Sequence, residues 1–312
     1  MSKTVCILLS TYNGEKYLRP LLDSALAQDT QNGELSISMF VRDDGSKDGT
    51  VDILKEYAAK GLLTLADYGK ENMGFAKSFS WLIFNAPQSD YYAFCDQDDI
   101  WLPQKISNAV NALEKEDASL PLLYNTNLIV VNKDLKELTR ETHLHQSRNS
   151  PTQFEENVLQ NNTYGCTIVI NDTLRQLYRR VPENEVRAHD YLLTVMATGL
   201  GKYIFEENPQ LLYRQHQNNA IGFYKGSLRN IIRSAKFVFE YDLKNSKLQN
   251  VIICKQCFYD MFSPEKQRFL DLLINYRTDK QAKKELVRFI KKEIKNKFIR
   301  FYSVFLIKRN KF

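Results

Sequence analysis

Apolar runs alternate with helical apolar spacing along the first hundred residues of the chain. Short apolar runs lie at residues 5–9, 37–41 and 91–95, and a weaker one lies near residues 62–65. Between them, apolar side chains recur three or four residues apart, as in the stretch 17–26, which predicts amphipathic helices. Strands that alternate with helices indicate an α/β fold with a mostly parallel central sheet and helices on both faces.

The pattern loosens in the second part of the chain. Apolar runs at residues 122–124, 128–131 and 165–170 predict further strands, whereas the C-terminal part has helical spacing and no clear strand. The sequence therefore predicts an α/β domain over residues 1–225 and a helical region over residues 226–312.

Polar and acidic residues follow three of the predicted strands. Thr11 closes the first strand, Asp43 and Asp44 the second, and the run Asp96-Gln97-Asp98-Asp99 the fourth. Because successive crossovers share one hand, these strand ends should meet at one edge of the sheet, where open α/β sheets bind their ligands. Three carboxylates within four residues repel one another unless a cation or solvent relieves the repulsion. The cluster therefore predicts a divalent metal ion that in turn holds an anionic ligand.

Composition places the chain among globular proteins, with 43% apolar and 26% charged residues over 312 positions. The five cysteines show no disulfide-framework spacing, and the pair Cys254 and Cys257 lacks the second pair that a zinc site needs. The chain shows no signal peptide and no apolar run near the roughly 20 residues of a spanning helix. We therefore expect a cytoplasmic protein.

Several enzyme classes lack their motifs in this chain. The P-loop, the dinucleotide-binding G-x-G-x-x-G, H-E-x-x-H and G-x-S-x-G are all absent. What remains is a nucleotide-sized site lined by carboxylates, in which Mg²⁺ or Mn²⁺ would bridge a diphosphate through oxygen ligands.

Four motifs, taken together, give the chain a specific resemblance. Residues 1–105 contain Ser10-Thr11-Tyr12-Asn13, Asp43-Asp44-Gly45-Ser46, Asn72-Met73-Gly74 and Asp96-Gln97-Asp98-Asp99. In this order and spacing they resemble glycosyltransferase family 2, whose members have the GT-A fold. His189-Asp190 and Tyr213-Arg214-Gln215-His216 are similar to the bacterial rhamnosyltransferase-like branch, which extends the resemblance to about residue 222.

The resemblance implies a donor site and a metal site at the sheet edge. Asp43 would accept an N–H from a uracil or thymine ring, beside Thr11 and Tyr12. Asp98, with His216, would bind Mn²⁺ or Mg²⁺ at the diphosphate of a dTDP- or UDP-linked sugar. The implied donor site consists of Thr11, Tyr12, Asn13, Asp43, Asp44, Asn72, Gly74, Lys77, Asp96, Gln97 and Arg214.

The resemblance also implies an acceptor side. Inverting members use a carboxylate to take the proton of the acceptor hydroxyl, and Asp190 is the candidate general base. His189 and Trp101 would contact the acceptor. The chain lacks the Q-x-x-R-W motif of processive members, which favours transfer of a single sugar.

Two hypotheses for function result. The first is an inverting, metal-dependent glycosyltransferase that moves one sugar, such as rhamnose, to a saccharide or lipid-linked acceptor in bacterial cell-surface polysaccharide synthesis. The alternative is a non-catalytic nucleotide-sugar-binding scaffold in a glycan-assembly complex. Individual residues also have structural alternatives: Asp44 as a turn, Asp99 as a cap, His189-Asp190 as a helix N-terminus and His216 as a solvated loop residue.

The C-terminal tail is strongly basic. Residues 280–312 carry 12 Lys and Arg against two acids, in a chain whose net charge is +6. This pattern predicts a basic amphipathic helix on an anionic membrane surface, which would make the protein peripheral on the inner face of the cell membrane. Packing on the catalytic domain, or on a second subunit of a homodimer, is the alternative. No nucleic-acid module accompanies the basic face, so nucleic acid is not an expected partner. The apolar stripe of this helix consists of Leu286, Ile290, Ile294, Phe298, Phe301 and Phe305.

Overall fold

The computed structural model describes residues 2–67, 71–138, 153–161, 163–216 and 247–312. The strands of these ranges form one sheet: β1 (Lys3–Thr11), β2 (Leu35–Asp43), β3 (Thr64–Leu65), β4 (Tyr91–Asp96), β5 (Ile100–Trp101), β6 (Leu122–Val131), β7 (Ile168–Asn171) and β8 (Lys202–Arg214). Their order across the sheet is β3-β2-β1-β4-β7-β6-β8-β5. The predicted domain boundary near residue 225 lies outside the described residues.

Parallel and antiparallel pairs both occur in the sheet. β3, β2, β1 and β4 are parallel neighbours. β7 runs antiparallel to β4 and β6, β8 is parallel to β6, and β5 is antiparallel to β8. The predicted α/β class is confirmed, with β7 and β5 making the sheet mixed. The runs predicted at 122–124 and 128–131 form the single strand β6, and β7 begins only after a 3₁₀ turn at Gly165–Thr167.

The central strands are continuous apolar runs because the sheet is buried on both faces. Val5, Ile7 and Leu9 of β1 contribute to one apolar core, whereas Cys6 and Leu8 contribute to the other. All five side chains are fully buried. This alternation follows from the period of two in a strand, which sends successive side chains to opposite faces.

Helices cover both faces of the sheet, as predicted. In chain order they are α1 (Glu15–Leu26), α2 (Thr50–Ala59), α3 (Phe75–Asn85), α4 (Lys105–Leu113), α5 (Phe154–Leu159), α6 (Asp172–Tyr178) and α7 (His189–Leu200). α1, α2 and α4 pack in the core of Val5, and α3, α5, α6 and α7 pack in the core of Cys6.

The C-terminal helices extend the core of Cys6. They are α8 (Lys247–Phe258), α9 (Pro264–Asn275), α10 (Lys280–Glu293) and α11 (Lys297–Lys308), and their apolar side chains join those of α3, α5 and α7. Among the helices of the described ranges, none has the length and apolar character that crossing a bilayer requires.

The prediction of one amphipathic helix in the tail is wrong, because the chain forms two helices there. Asn296 begins the second, and its side chain accepts from two backbone N–H groups of α11. Glu156 on α5 holds the break by accepting from the backbone N–H groups of Lys295 and Asn296, both at 2.9 Å. The first part of the predicted apolar stripe is buried against the rest of the protein: Leu286, Ile290 and Ile294.

Strand register brings the predicted loops to one edge of the sheet. Thr11 pairs with Asp43 and Ser10 pairs with Asp96, so β1, β2 and β4 end side by side. Arg214 ends β8, which runs in the same direction as β4 because two antiparallel steps separate β4 from β6. The predicted convergence is confirmed for these strand ends.

Candidate active site

Asp43 lies at the end of β2 with both carboxylate oxygens occupied by donors from the chain. The Thr11 hydroxyl donates to Oδ1 at 2.9 Å, and the backbone N–H groups of Gly45 and Ser46 donate to Oδ2 at 3.1 and 2.8 Å. The Ser46 hydroxyl also donates to Oδ1. These bonds fix the buried carboxylate and the following turn without a ligand.

Asp44 holds a second segment in place. Its carboxylate forms an ion pair with Arg42 at 2.5 Å, with both side chains almost fully buried. It also accepts from the backbone N–H groups of Met73 and Gly74 at 2.9 and 2.8 Å. Gly74 has a φ of 79°, a conformation that favours glycine, and its N–H also donates to Asn72 Oδ1. The turn role anticipated for Asp44 therefore extends to the position of Asn72 and Gly74.

Gln97 joins the loop after β4 to the loop after β1. Its side-chain amide accepts from the backbone N–H of Tyr12 at 2.8 Å and donates to the carbonyl oxygen of Tyr12 at 2.9 Å. Asn13 is tied to the loop after β2, since its side chain accepts from the backbone N–H of Lys47 at 2.8 Å. The Tyr12 ring itself stays 44% exposed, so it offers a flat apolar surface at the sheet edge.

The carboxylates after β4 lie in a different environment. Burial raises the pKa of Asp96 to about 7, and the charges of Asp98 and Asp190 add to the effect. Burial likewise raises the pKa of Asp99 well above its usual range. Asp99 Oδ1 accepts from the backbone N–H of Arg214 at 3.2 Å, so Asp99 joins β8 to this loop rather than capping a helix.

Asp98 meets His216 although 118 residues separate them. Asp98 Oδ2 lies 2.7 Å from His216 Nε2, and each side chain is 15% exposed. Arg214 Nε donates to the backbone oxygen of Asp98 at 2.7 Å, and its Nη1 donates to the backbone oxygen of Lys133 at 2.9 Å. The end of β8 is thereby fastened to the carboxylate loop.

Tyr17 braces the same group, which sequence reasoning missed because Tyr17 fits the apolar face of α1. Its ring stacks on His216 with 4.8 Å between ring centroids and 26° between planes. The Arg214 guanidinium carbon lies 4.7 Å from the Tyr17 centroid. An aromatic residue in the first turn of a helix that follows a site loop was the only signal in the sequence.

Asp190 lies in the first turn of α7. Its Oδ1 accepts from the backbone N–H of Tyr191 at 2.8 Å, as a helix-terminal acid often does. Burial raises the pKa of Asp190 to about 6. A Cβ built on Gly165 would lie 3.9 Å from Asp190 Cβ, and the thiol of the next residue, Cys166, lies within 4.8 Å of carboxylate oxygens of Asp96 and Asp99. The structure thus brings Asp190 to the carboxylate cluster.

The two residues predicted to contact the acceptor are buried. His189 is 3% exposed and lies between the rings of Phe79 and Phe94, at centroid distances of 4.5 and 5.3 Å. Burial lowers the pKa of His189 to about 3, so the ring is neutral. Trp101 is 2% exposed and packs against Lys105, whose Nζ lies 4.6 Å from its ring centroid. Both side chains are buried, and their contact with an acceptor stays a prediction.

Lys77 lies in the first turn of α3, directly after the segment that Asp44 holds. Its side chain is exposed. Its position on the site edge follows from Gly74, which begins the helix. The Lys77 side chain is therefore exposed to solvent next to the sheet edge.

The donor set fits a hard divalent cation at Asp98. Ligand atoms of Asp96, Asp99 and Cys166 lie within 4.8 Å of one another, but Asp99 and Cys166 are fully buried and burial raises the pKa of the Cys166 thiol. Mg²⁺ and Mn²⁺ prefer oxygen ligands and share their shell with substrate phosphates. Asp98 and Asp96 retain exposed surface at the edge, and they are the carboxylates that such an ion could reach.

The sequence profile described as "Glycosyl transferase family 2" matches residues 6–180, more than half of the chain. The chain belongs to glycosyltransferase family 2. The dTDP-rhamnosyl transferase RfbG of Shigella flexneri is 30% identical over 225 residues, which cover 69% of this chain and 73% of that protein. An uncharacterized glycosyltransferase of Rickettsia typhi, RT0329, is 27% identical, covering 69% of this chain and 65% of its own length. The protein is therefore a glycosyltransferase.

Solved glycosyltransferases share the architecture of this chain. S. aureus TarS 1-349 in complex with UDP-GlcNAc has a TM-score of 0.56 at 16% identity, over 100% of this chain and 93% of that one. The mannosyltransferase PcManGT from Pyrobaculum calidifontis, in complex with GDP-Man and Mn²⁺, has a TM-score of 0.51 at 17% identity, over 100% and 87%. These likenesses confirm the GT-A fold.

Proposed function

We propose that the protein transfers a single sugar from a nucleotide-diphosphate donor to a saccharide or lipid-linked acceptor, with inversion at the anomeric carbon. The proposal depends on one observation, that two differently equipped carboxylates flank Asp96: Asp98 two residues along the same loop, and Asp190 beside Gly165, whose neighbour Cys166 lies within 4.8 Å of an Asp96 oxygen. Asp98 lies beside His216, and Asp190 has a pKa raised to about 6. The first is suited to a cation and the second to a proton.

The nucleoside would occupy the part of the edge built from Thr11, Tyr12 and Asp43. The exposed Tyr12 ring offers a stacking surface for the base. Asp43 Oδ1 already accepts from two hydroxyls, and a hydroxyl of Ser46 that rotates away would free it for a ring N–H. Asn13, Asn72, Gly74 and Lys77 would line the same side. The name of the Shigella flexneri relative supports dTDP-rhamnose as the first donor to test, and the TarS complex supports a UDP-sugar as the second.

Asp98 and His216 would hold Mn²⁺ or Mg²⁺ beside the diphosphate, with Asp96 near the donor sugar. When bound, the ion neutralises charge that develops on the leaving nucleoside diphosphate. Arg214 adds a fixed guanidinium close to Asp98.

Asp190 would act on the acceptor. Its Oδ1 is engaged by the Tyr191 N–H, which leaves Oδ2 to take the proton of the acceptor hydroxyl. As that proton moves to Asp190, the acceptor oxygen bonds to the anomeric carbon and the bond from that carbon to the phosphate oxygen breaks. A pKa of about 6 leaves the carboxylate mostly ionised at neutral pH, so it is ready to accept a proton.

Asp98→Ala tests the metal role and the function together. We expect the purified variant to lose transfer from dTDP-rhamnose or a UDP-sugar, and to lose the Mn²⁺-dependent rise in melting temperature with nucleotide. Asp52→Ala, on the surface of α2, is the matched control and should keep both. Unchanged donor turnover by Asp98→Ala in excess Mn²⁺ would contradict the assignment.

The same assays separate an enzyme from the scaffold alternative. A scaffold would bind a nucleotide sugar and show the rise in melting temperature, yet release no nucleoside diphosphate with any acceptor. Product stereochemistry, read from the anomeric coupling in a proton NMR spectrum, tests inversion.

We further propose a cytoplasmic protein that works at the anionic inner face of the membrane. The basic tail supports this place of action, because 12 of its 33 residues are Lys or Arg. A lipid-linked acceptor would lie at that surface.

A further inference from the structure

The outer surface of α11 carries two unusually exposed aromatic side chains. Phe301 is 77% exposed and Phe298 is 68% exposed, more than any other large apolar side chain in the described ranges. Phe305, one turn further, is 38% exposed. Exposed aromatic clusters of this kind on soluble surfaces mark sites of interaction.

The three rings occupy one face of the helix. Positions 298, 301 and 305 are three and four residues apart, so their side chains line the same side. The Phe298 ring stacks on Tyr302 at 5.9 Å between centroids. The opposite side of α11 is anchored in the core through Ile299, Ser303, Leu306 and Ile307. The helix is therefore held with its aromatic face turned outward.

Cations surround this face. Residues 291–312 contain eight Lys and Arg and a single acid, Glu293. Lys297, Lys308 and Arg309 are exposed, and the Arg309 guanidinium carbon lies 4.3 Å from the Phe305 centroid. A second copy of the chain would bring the same positive charge against it, so self-association through this face is opposed.

We propose that this aromatic–basic face, made of Phe298, Phe301 and Phe305 with the cations of residues 291–312, docks on an anionic bilayer. The rings enter the headgroup boundary, where aromatic side chains are favoured, and the cations contact lipid phosphates. This inference deepens the proposed function, on which it depends only for its purpose of bringing the site to a lipid-linked acceptor. The buried side chains of α10, such as Leu286 and Ile290, attach this face to the rest of the protein.

The test is sedimentation of the full chain with vesicles of phosphatidylcholine that contain phosphatidylglycerol, compared with phosphatidylcholine alone. Wild type should bind the anionic vesicles and not the neutral ones. The double variant Phe298→Asp with Phe301→Asp should lower the bound-to-free ratio about tenfold or more, because two apolar rings no longer leave water. Leu62→Asp, an exposed apolar position elsewhere at 43%, is the control and should bind as wild type.

Two outcomes would overturn the docking surface. One is equal binding of the wild type and the double variant to anionic vesicles. The other is a wild-type dimer in size-exclusion chromatography that the double variant converts to a monomer, which would assign the face to a second copy. Transfer to a water-soluble acceptor should be the same in both proteins, so loss of docking is distinguishable from failure of the proposed function.

Discussion

Two pairs of carboxylates lie near one edge of the sheet and differ in the partners that the chain provides for them. Asp43 and Asp44 receive hydrogen bonds or an ion pair from the chain on their oxygens. Asp96 and Asp190 instead have pKa values raised to about 7 and about 6, chiefly by burial. The first pair has its hydrogen-bonding and ionic partners within the chain, whereas burial disfavours the charged form of the second pair.

The difference indicates that the first pair contributes more to the stability of the fold than the second pair does. A buried acid that is fully hydrogen-bonded holds loops together, and its hydrogen bonds offset most of the free energy that its desolvation costs. A buried acid with a raised pKa lowers the stability of the fold when it ionises. Acids of this kind are common at functional sites. We therefore expect substitutions at the two pairs to have opposite signatures.

Asp190→Asn should give the largest effect. Asn keeps an oxygen for the Tyr191 N–H and cannot accept the acceptor proton. Loss of a general base lowers the rate by about 10²- to 10⁴-fold. Steady-state kinetics should show that loss in kcat, with the KM for the donor nearly unchanged. A donor KM that rises with the fall in kcat would place Asp190 in the donor site instead.

Asp44→Asn should be the largest effect on stability. Removing the charge of one partner of a buried ion pair costs about 3–5 kcal/mol of unfolding free energy. Urea denaturation measures it. The matched control is Glu56→Gln, which breaks an exposed pair with Arg19 and should change stability little. Equal losses in the two variants would show that Asp44 holds no special structural position.

The stability of Asp190→Asn should move in the other direction. The folded pKa of about 6 lies above the ordinary 3.8, so the folded state favours the protonated acid and wild type loses stability as pH rises through this window. Above pH 7 the Asn variant should be more stable by about 1–3 kcal/mol, and below pH 4 the gap should vanish. Urea titrations at several pH values test this sign.

Transfer should follow the same titration with the opposite sign. Because the base form of Asp190 is lost as pH falls below about 6, kcat/KM should drop about tenfold per pH unit there. Activity and stability would thus change in opposite directions across one pH range. A pH profile that is flat down to pH 5 would remove Asp190 from the proton transfer.

Tyr17→Leu should give the smallest effect. The variant loses the ring that stacks on His216 and meets Arg214, so the Mn²⁺ and nucleotide constants should weaken about two- to fivefold in calorimetric titrations. Tyr17→Phe keeps the ring and should bind as wild type. Tyr57→Leu is the control. It also removes a ring flanked by two cations, but Tyr57 is on α2 and not on α1, so both binding constants should stay unchanged.

Local pattern was enough to predict the strand ends and the carboxylates beyond them. β1, β2 and β4 each contain a continuous apolar run, and the site loops follow within one or two residues, so the meeting of Thr11, Asp43 and Asp96 follows from parallel topology alone. The same reasoning predicted the carboxylate cluster that contains Asp98. These features depend on neighbours in sequence and on the hand of the crossovers. Asp190 instead came from the family resemblance, which implied its role as the general base.

Long-range contacts account for what the pattern could not predict. Periodicity treats Trp101 as a residue after the site loop, although it packs in the core against Lys105 on α4. The break in the tail is set by Glu156, some 140 residues earlier. The assignment of Tyr17 required His216 and Arg214 to return to α1, and no local signal announces such a return.

Gly14 couples the sequence of the loop after β1 to the sequence of the loop after β4. A Cβ at this position would lie 2.2 Å from Gln97 Oε1, and that side chain cannot move aside without giving up both of its bonds to the Tyr12 backbone. Drift at either position is therefore constrained by the other. A lineage that replaces Gly14 with a larger residue should carry a shorter side chain at position 97, and the pair should change together or not at all.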